Sequence, residues 1–332
     1  MRFLSPLVRL AVTSGILTGI LAGCHTAGDD HHHARPTKQA APFTGEYPIQ
    51  VVCTTGPITE AVKKIGGPHV SVTGLMGPGI DPHLFRAAPQ DVENLQEADV
   101  IVYNGLHLEG RLAGILDAQS KNKPVIAVTD QLVAENDPRL RKPPEFEGFF
   151  DPHVWHDATL WTDCLNYLTE QMQKVDPSHA AEYQKNHDDY IAEITAIDDY
   201  CRTQIATLPE EGRVLVTAHD AFGYFSAAYG LETEPLKGVS TEDEIEIGRL
   251  DDVVRLLIEK NIPAVFVESA ISPRIVRALI EPCEAQGHQV KIGGELYADA
   301  LGQAGTDAET YPGMLRANVD TIVTALNPTP GG

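Results

Sequence analysis

Two hydrophobic periods take turns along this chain. Between residues 47 and 128, short apolar runs such as the alternating Ile49, Val51 and Cys53, or the unbroken Val100-Ile101-Val102, are separated by stretches of helical spacing. The pattern predicts strands over 47–54, 70–75, 99–103 and 125–128, with helices over 58–65 and 91–97. Strands that are apolar on both faces need cover on both sides, and strand–helix–strand repetition gives a parallel sheet. The character changes after residue 153. Residues 158–175 form an amphipathic helix, and a second helical stretch over 177–208 opens at Pro177-Ser178 and stops at Pro209. That second stretch carries Tyr183, Tyr190, Ile191, Ile194, Ile197 and Ile205 at helical spacings. Some thirty residues of helix span roughly 45 Å, so this segment is expected to bridge two lobes. Alternation then resumes, with strands over 213–217, 233–236, 264–268 and 289–292 and helices over 221–229, 247–260, 273–286 and 311–326. The expected fold is α/β: two α/β lobes with parallel sheets, residues 46–175 and 210–328, joined by one long bridging helix over 176–209.

The N-terminus has a different composition. Arg2 and Arg9 precede an apolar run from Leu10 to Leu21, and Ala22-Gly23 lead to Cys24. This is the layout of a secretory signal, too short for a stable membrane span. Leu21-Ala22-Gly23-Cys24 resembles a bacterial lipoprotein box, which makes residues 1–23 a signal peptide and Cys24 the lipidated first residue of an exported, membrane-anchored chain. Residues 24–45, polar and rich in Pro, Ala and His, read as a flexible tether.

Removal of residues 1–23, which hold two arginines and no acid, takes the net charge from −22 to −24. Such a surface disfavours nucleic acid and anionic lipid as partners. Cys53, Cys164, Cys201 and Cys283 can pair as two disulfides in three ways. Their scatter matches no zinc ribbon or Cys-x-x-Cys motif, and buried free thiols are the expectation.

The candidate chemistry lies in a repeated tripeptide, Asp81-Pro82-His83 and Asp151-Pro152-His153. Proline fixes its own φ and pushes the preceding Asp towards extended geometry, so each histidine is presented on backbone with little freedom left to lose. Two such presentations suggest one metal site assembled from distant segments. His219 follows the apolar run Val214-Leu215-Val216-Thr217, and ligand sites in open α/β folds lie at the carboxyl ends of strands. Asp299, in a loop beyond the strand over 289–292, stands in a comparable place, although an Asp near a loop is more often a cap or turn residue. His156, three residues after His153, can share its face as a ligand or as support; His107 lies just past a buried strand. The remaining histidines, including the run His31–His33 in the tether, are beside turns, on polar faces or in the tether.

In their order along the chain these residues resemble the TroA-like metal receptors of bacterial ABC importers for zinc and manganese. The signposts are Thr54-Thr55-Gly56, Gly79-Ile80-Asp81-Pro82-His83, Asn104-Gly105-Leu106, Asp151-Pro152-His153-Val154-Trp155 and Ala218-His219-Asp220-Ala221-Phe222-Gly223-Tyr224-Phe225. Gly238-Val239-Ser240-Thr241-Glu242, Val267-Glu268 and Leu296-Tyr297-Ala298-Asp299-Ala300-Leu301 complete them. The resemblance implies four ligands, His83, His153, His219 and Asp299, two from each lobe; separately, Asp81 and Asp151 are placed to hold the second ring nitrogens of ligand histidines, and His156 and Glu242 are further possible supports. It also implies a monomeric, extracytoplasmic receptor that carries Zn²⁺ or Mn²⁺ as cargo to an ABC permease subunit, with the strut limiting lobe motion. Three imidazoles and one carboxylate suit tetrahedral Zn²⁺, and a bidentate carboxylate extends the set to Mn²⁺ or Fe²⁺. Receptors with Glu at the third position tend to be manganese receptors, whereas His219 stands here; the long His-rich loop of many zinc receptors is absent between His83 and His153. Neutral imidazoles are needed, so affinity is expected to fall as the pH drops through about 6.

Two other classes compete. A metal-dependent hydrolase keeps three protein ligands and a water beside a general base, a part open to Glu242 or Glu268. No His-Glu-x-x-His, Gly-x-Ser-x-Gly or phosphate-cradling loop supports such a reaction. A metal-binding surface adhesin is compatible with the lipid anchor, but the chain has no repeats to argue for it.

Overall fold

The computed structural model describes residues 42–327 apart from Glu145 and Glu147. The signal peptide, Cys24 and most of the tether, including His31–His33, lie outside the described residues. Strand β1 (Ile49–Cys53), helix α1 (Gly56–Gly66) and β2 (Val70–Gly74) open the first lobe. They are followed by α2 (Pro89–Glu97), β3 (Val100–Tyr103), α3 (Ala113–Ser120), β4 (Val125–Ala127) and α4 (Asp130–Ala134). All four strands are parallel, in the order β2-β1-β3-β4. The central β1 and β3 carry the apolar runs that predicted a sheet covered on both faces.

Helix α5 (Ala158–Val175) begins where Asp157 caps it, the Asp157 carboxylate accepting from the amides of Thr159 and Leu160. A short 3₁₀ turn, Pro177–His179, leads into α6 (Ala180–Ile205), 26 residues or about 39 Å of helix. Its buried stripe, Tyr183, His187, Tyr190, Ile194, Ile197, Cys201 and Ile205, recurs every three or four residues. Through it α6 packs on α1 and α5 and on the last helix, α11 (Tyr311–Leu326). One continuous core of Val, Ile, Leu and aromatic side chains runs from the first sheet past this helix to the second lobe.

The second lobe contains β5 (Val214–Thr217), α7 (Gly223–Tyr229), β6 (Glu232–Pro235), α8 (Arg249–Glu259) and β7 (Ala264–Glu268). Then come α9 (Arg274–Arg277), α10 (Ile280–Ala285) and β8 (Lys291–Leu296). β5 pairs with β6 and β7 with β8, each in parallel, and β5 lies beside β7. The single helix expected over 273–286 is two short ones. The strand expected to end at Ile292 runs on to Leu296 across Gly293-Gly294, where the ladder shifts register. That extension puts Asp299 three residues past the strand end, at the same rim as β5 and β7. The four cysteines within the described residues are buried free thiols. No helix among the described residues is long and apolar enough to cross a membrane.

Candidate metal centre

His83, His153, His219 and Asp299 come together. Each offers one ligand atom, and these atoms lie within 4.8 Å of one another. All four are buried, between 0 and 5 % exposed. His83 sits in the loop after β2, His153 ahead of α5, His219 just past β5 and Asp299 past β8. Two lobes thus contribute two side chains each.

The loops are fixed before the rings are. The Asp81 carboxylate accepts from the amides of His83 (2.9 Å) and Leu84 (3.3 Å), closing the turn that carries His83. Asp151 accepts from the amide of His153 (3.0 Å) in the same way, and Asn104 donates its side-chain amide to the Pro152 carbonyl (3.0 Å). Asn104 is in turn anchored by Glu109, whose carboxylate takes the Asn104 and Gly105 amides and the Thr54 hydroxyl. Ala298, next to Asp299, receives two bonds at its carbonyl, from Trp155 Nε1 and His156 Nε2, both at 2.9 Å.

Ring orientation follows from two buried carboxylates. Nδ1 of His153 lies 2.7 Å from Asp151 Oδ1, and Nδ1 of His219 lies 2.5 Å from Glu268 Oε2. The other Glu268 oxygen accepts from the Ala218 and His219 amides. A proton held on Nδ1 leaves the lone pair on Nε2, the atom aimed at the cluster. There His153 Nε2 is 3.3 Å from His83 Nε2 and 3.3 Å from Asp299 Oδ1, and His219 Nε2 is 3.4 Å from Asp299 Oδ2. His219 Nε2 and both Asp299 oxygens have no hydrogen-bond partner among the described residues. Orphaned polar atoms this deeply buried are costly unless something charged satisfies them together. Three imidazole nitrogens and two carboxylate oxygens suit a divalent transition metal.

Charge is arranged accordingly. Burial works against a proton on His153, but Asp151 and Asp299 outweigh it and push its pKa up to about 9. Burial opposes charge on His219 too, and Glu268 and Asp299 override it, lifting the imidazole well above its ordinary value. Burial would raise Asp299, yet His219 and His153 hold it well below the usual carboxylate range. At His83 burial prevails over the pull of Asp299 and takes the imidazole down to about 3. The metal-free cluster therefore holds protons on His153 and His219 at neutral pH.

The surrounding residues sort differently from expectation. Asp81 steadies the His83 backbone and receives the Thr241 hydroxyl (2.7 Å) from the other lobe, with no contact to a ring. His156 is buried against Phe222 and supports the Asp299 loop through Ala298. Glu242 lies at the surface, its side chain 47 % exposed and paired with Arg111. Glu268 is the support that sequence reasoning missed. Its signal was a carboxylate closing the buried strand Ala264–Glu268, where an unpaired charge would not survive. Arg141 was also missed: it pairs with Asp151, the support of His153, and, at 3.2 Å, with Asp220, the residue after His219. His107 stacks on Phe149 instead of reaching the cluster.

Residues 51–325 match the profile of the zinc-uptake complex component A periplasmic family, ZnuA. The chain belongs to the ZnuA family. Among ZnuA-like relatives, the manganese-binding lipoprotein MntA of Bacillus subtilis (strain 168) is 43 % identical over 279 residues, 84 % of this chain and 90 % of that one. The zinc-binding protein TroA of Treponema pallidum (strain Nichols) is 43 % identical over 276 residues, covering 83 % and 88 %. The solved structure of periplasmic TroA from that organism has a TM-score of 0.80 at 42 % identity, over 84 % of this chain and 99 % of that one. The ZnuA-type fold of two α/β lobes on a long bridging helix is the one described above.

Proposed function

We propose that this chain is an extracytoplasmic receptor that binds one Zn²⁺ or Mn²⁺ ion between its lobes and delivers it to an ABC permease. The observation that carries the reading is the convergence of His83, His153, His219 and Asp299, buried and with ligand atoms within 4.8 Å. His83, His153 and His219 bind through Nε2, and Asp299 through both oxygens, each of which faces a different imidazole. Asp151 and Glu268 hold the rings in the binding tautomer, and both lobes exclude water. Relatives named for manganese and for zinc stand at equal identity, in keeping with a donor set that serves both ions. Four protein ligands, one of them bidentate, leave little room for the activated water of a hydrolase.

The anchor belongs to the same reading. Cys24 becomes the lipidated N-terminus, residues 24–45 the tether, and residues 46–175, 176–209 and 210–328 the lobe, strut and lobe of a monomer. Metal content of the mature chain tests the site: one tightly held equivalent is expected, with Zn²⁺/Mn²⁺ competition ranking the cargo. Asp299→Ala is expected to lower affinity at least a hundredfold. Binding indifferent to Asp299 would overturn the ligand set and reopen the hydrolase.

A further inference from the structure

A second group of residues with metal-ligand chemistry lies away from the buried four. His69 ends the turn between α1 and β2, His179 ends the turn before α6, and Glu182 is in the first turn of α6. Each offers one ligand atom, and these lie within 4.8 Å of one another. The two imidazoles are stacked, centroids 3.7 Å apart and planes 20° apart, and His69 Nε2 is 2.8 Å from Glu182 Oε2.

The support resembles that of the buried cluster. His179 Nδ1 lies 2.7 Å from Oδ2 of Asp176, a residue 1 % exposed that also receives the Tyr47 and Tyr183 hydroxyls. This buried carboxylate keeps the His179 proton on Nδ1 and turns the Nε2 lone pair outward. The Tyr47 ring meets His179 edge-on at 4.9 Å and restrains it. Nothing comparable buries the third residue: the Glu182 side chain is 60 % exposed. Two positioned imidazoles and an exposed surface carboxylate make a three-ligand set, closed by side-chain rotation and completed by water.

We infer that His69, His179 and Glu182 form a second, surface site for a divalent transition metal, with Zn²⁺ favoured. Two imidazoles select the later first-row ions over Mn²⁺. Three protein ligands and open positions make the site weaker and faster to exchange than the buried one, as suits an ion held at the surface. The ion takes the place of the hydrogen bond between His69 and Glu182 and neutralises part of an acidic surface.

The test uses the full mature chain, loaded with one equivalent of Zn²⁺ and then titrated with more. Isothermal titration calorimetry is run beside NMR of ¹⁵N-labelled imidazoles. The second equivalent is expected to perturb the His69 and His179 resonances. Glu182→Gln is expected to weaken it at least tenfold, and the double variant His69→Gln/His179→Gln to abolish it. Asp299→Ala, which strikes only the buried cluster, leaves it intact. Glu182 is exposed and its replacement spares the fold, so it decides the matter even where the double variant is unstable. If the second equivalent binds Glu182→Gln as tightly as the unaltered chain, or leaves both imidazoles unmoved, the ion sits elsewhere, for instance on His31–His33, and the inference falls.

Discussion

Glu268 and Asp151 do at the residue scale what no ligand does: each fixes which nitrogen of a neighbouring imidazole carries the proton. Removing that control without removing a ligand is a clean perturbation. Glu268→Gln keeps the shape and loses the charge, and is expected to weaken metal binding tenfold to a hundredfold, the range usual for such supports. Gly223 offers a subtler one. A Cβ there would overlap the Arg141 guanidinium, which is held by Asp151 and Asp220. Gly223→Ala should displace Arg141 and lower affinity although residue 223 touches no ligand; unchanged affinity would mean that Arg141 does not matter to His153.

Protons answer to the same residues. With His153 at about 9 and His219 raised as well, metal must displace protons at neutral pH. Affinity should already be falling as the pH drops below about 9, well above the 6 expected from unperturbed imidazoles. Calorimetry in buffers of different ionisation enthalpy should show more than one proton released per ion at pH 7.5, and no release would refute this. In the metal-free protein, the raised His153 contributes stability that is complete below about pH 6.5 and lost as the pH rises through about 9. His83 and His156, both lowered to about 3, contribute stability that is lost as the pH falls from about 6.5 towards 3. Thermal melts of the metal-free chain should therefore be highest near neutrality.

At the scale of elements, α6 links the two lobes, touching α1, α5 and α11 through one stripe. Ile194, 1 % exposed at the middle of that stripe, has no polar role. Ile194→Ala should cost about 2–5 kcal/mol by urea denaturation, with little change in metal affinity once folded. This helix was legible because apolar residues recur every three or four positions between two prolines. Strands β1, β3, β5 and β7 were legible for a similar reason, being short apolar runs with nothing polar to contradict them. Helix α4 escaped notice because five residues cannot display a period, and α3 because Ala113–Ser120 has a single buried leucine. The run over 273–286 looked like one helix from its apolar spacing, but it breaks at Ala278-Leu279, four residues ahead of Pro282, which has no N–H for the Ala278 carbonyl and lies in the first turn of α10. At the site, histidines after Asp-Pro announced themselves locally. Asp299 did not, since its place depends on β8 running four residues further than its β-branched stretch suggests. Glu268 and Arg141 act on residues 49 and 10 positions away, respectively, and such pairings are set by the fold.

For the whole molecule, the strut is only one of several ties between the lobes. Thr241 donates to Asp81, Arg111 pairs with Glu242, Tyr224 donates to the Asp151 carbonyl, and Tyr311 donates to that of Trp155. Two of these, Thr241–Asp81 and Arg111–Glu242, link the segments around the His83 turn and the Gly110 turn to one loop of the second lobe. A hydrogen bond to a carboxylate is worth ~1.5–3 kcal/mol, so Thr241→Val should speed metal release into excess chelator by about an order of magnitude. Stopped-flow mixing reads that rate directly; an unchanged rate would place the gate elsewhere. Bound metal should also raise the melting temperature in a concentration-dependent way, since the unfolded chain lacks the assembled cluster.

The buried free thiols have a bearing on cargo. Zinc prefers a thiolate to most other donors, and a protein built to let its ion go would be compromised by one. Burial raises Cys53, Cys164 and Cys283, and raises Cys201 to about 12, so all four stay as S–H at any physiological pH. Buried in the hydrophobic core, they present no soft trap to a passing ion. The fold also requires no oxidant to mature: with no cross-link among the described cysteines, the chain can take its shape in a reducing or an oxidising environment.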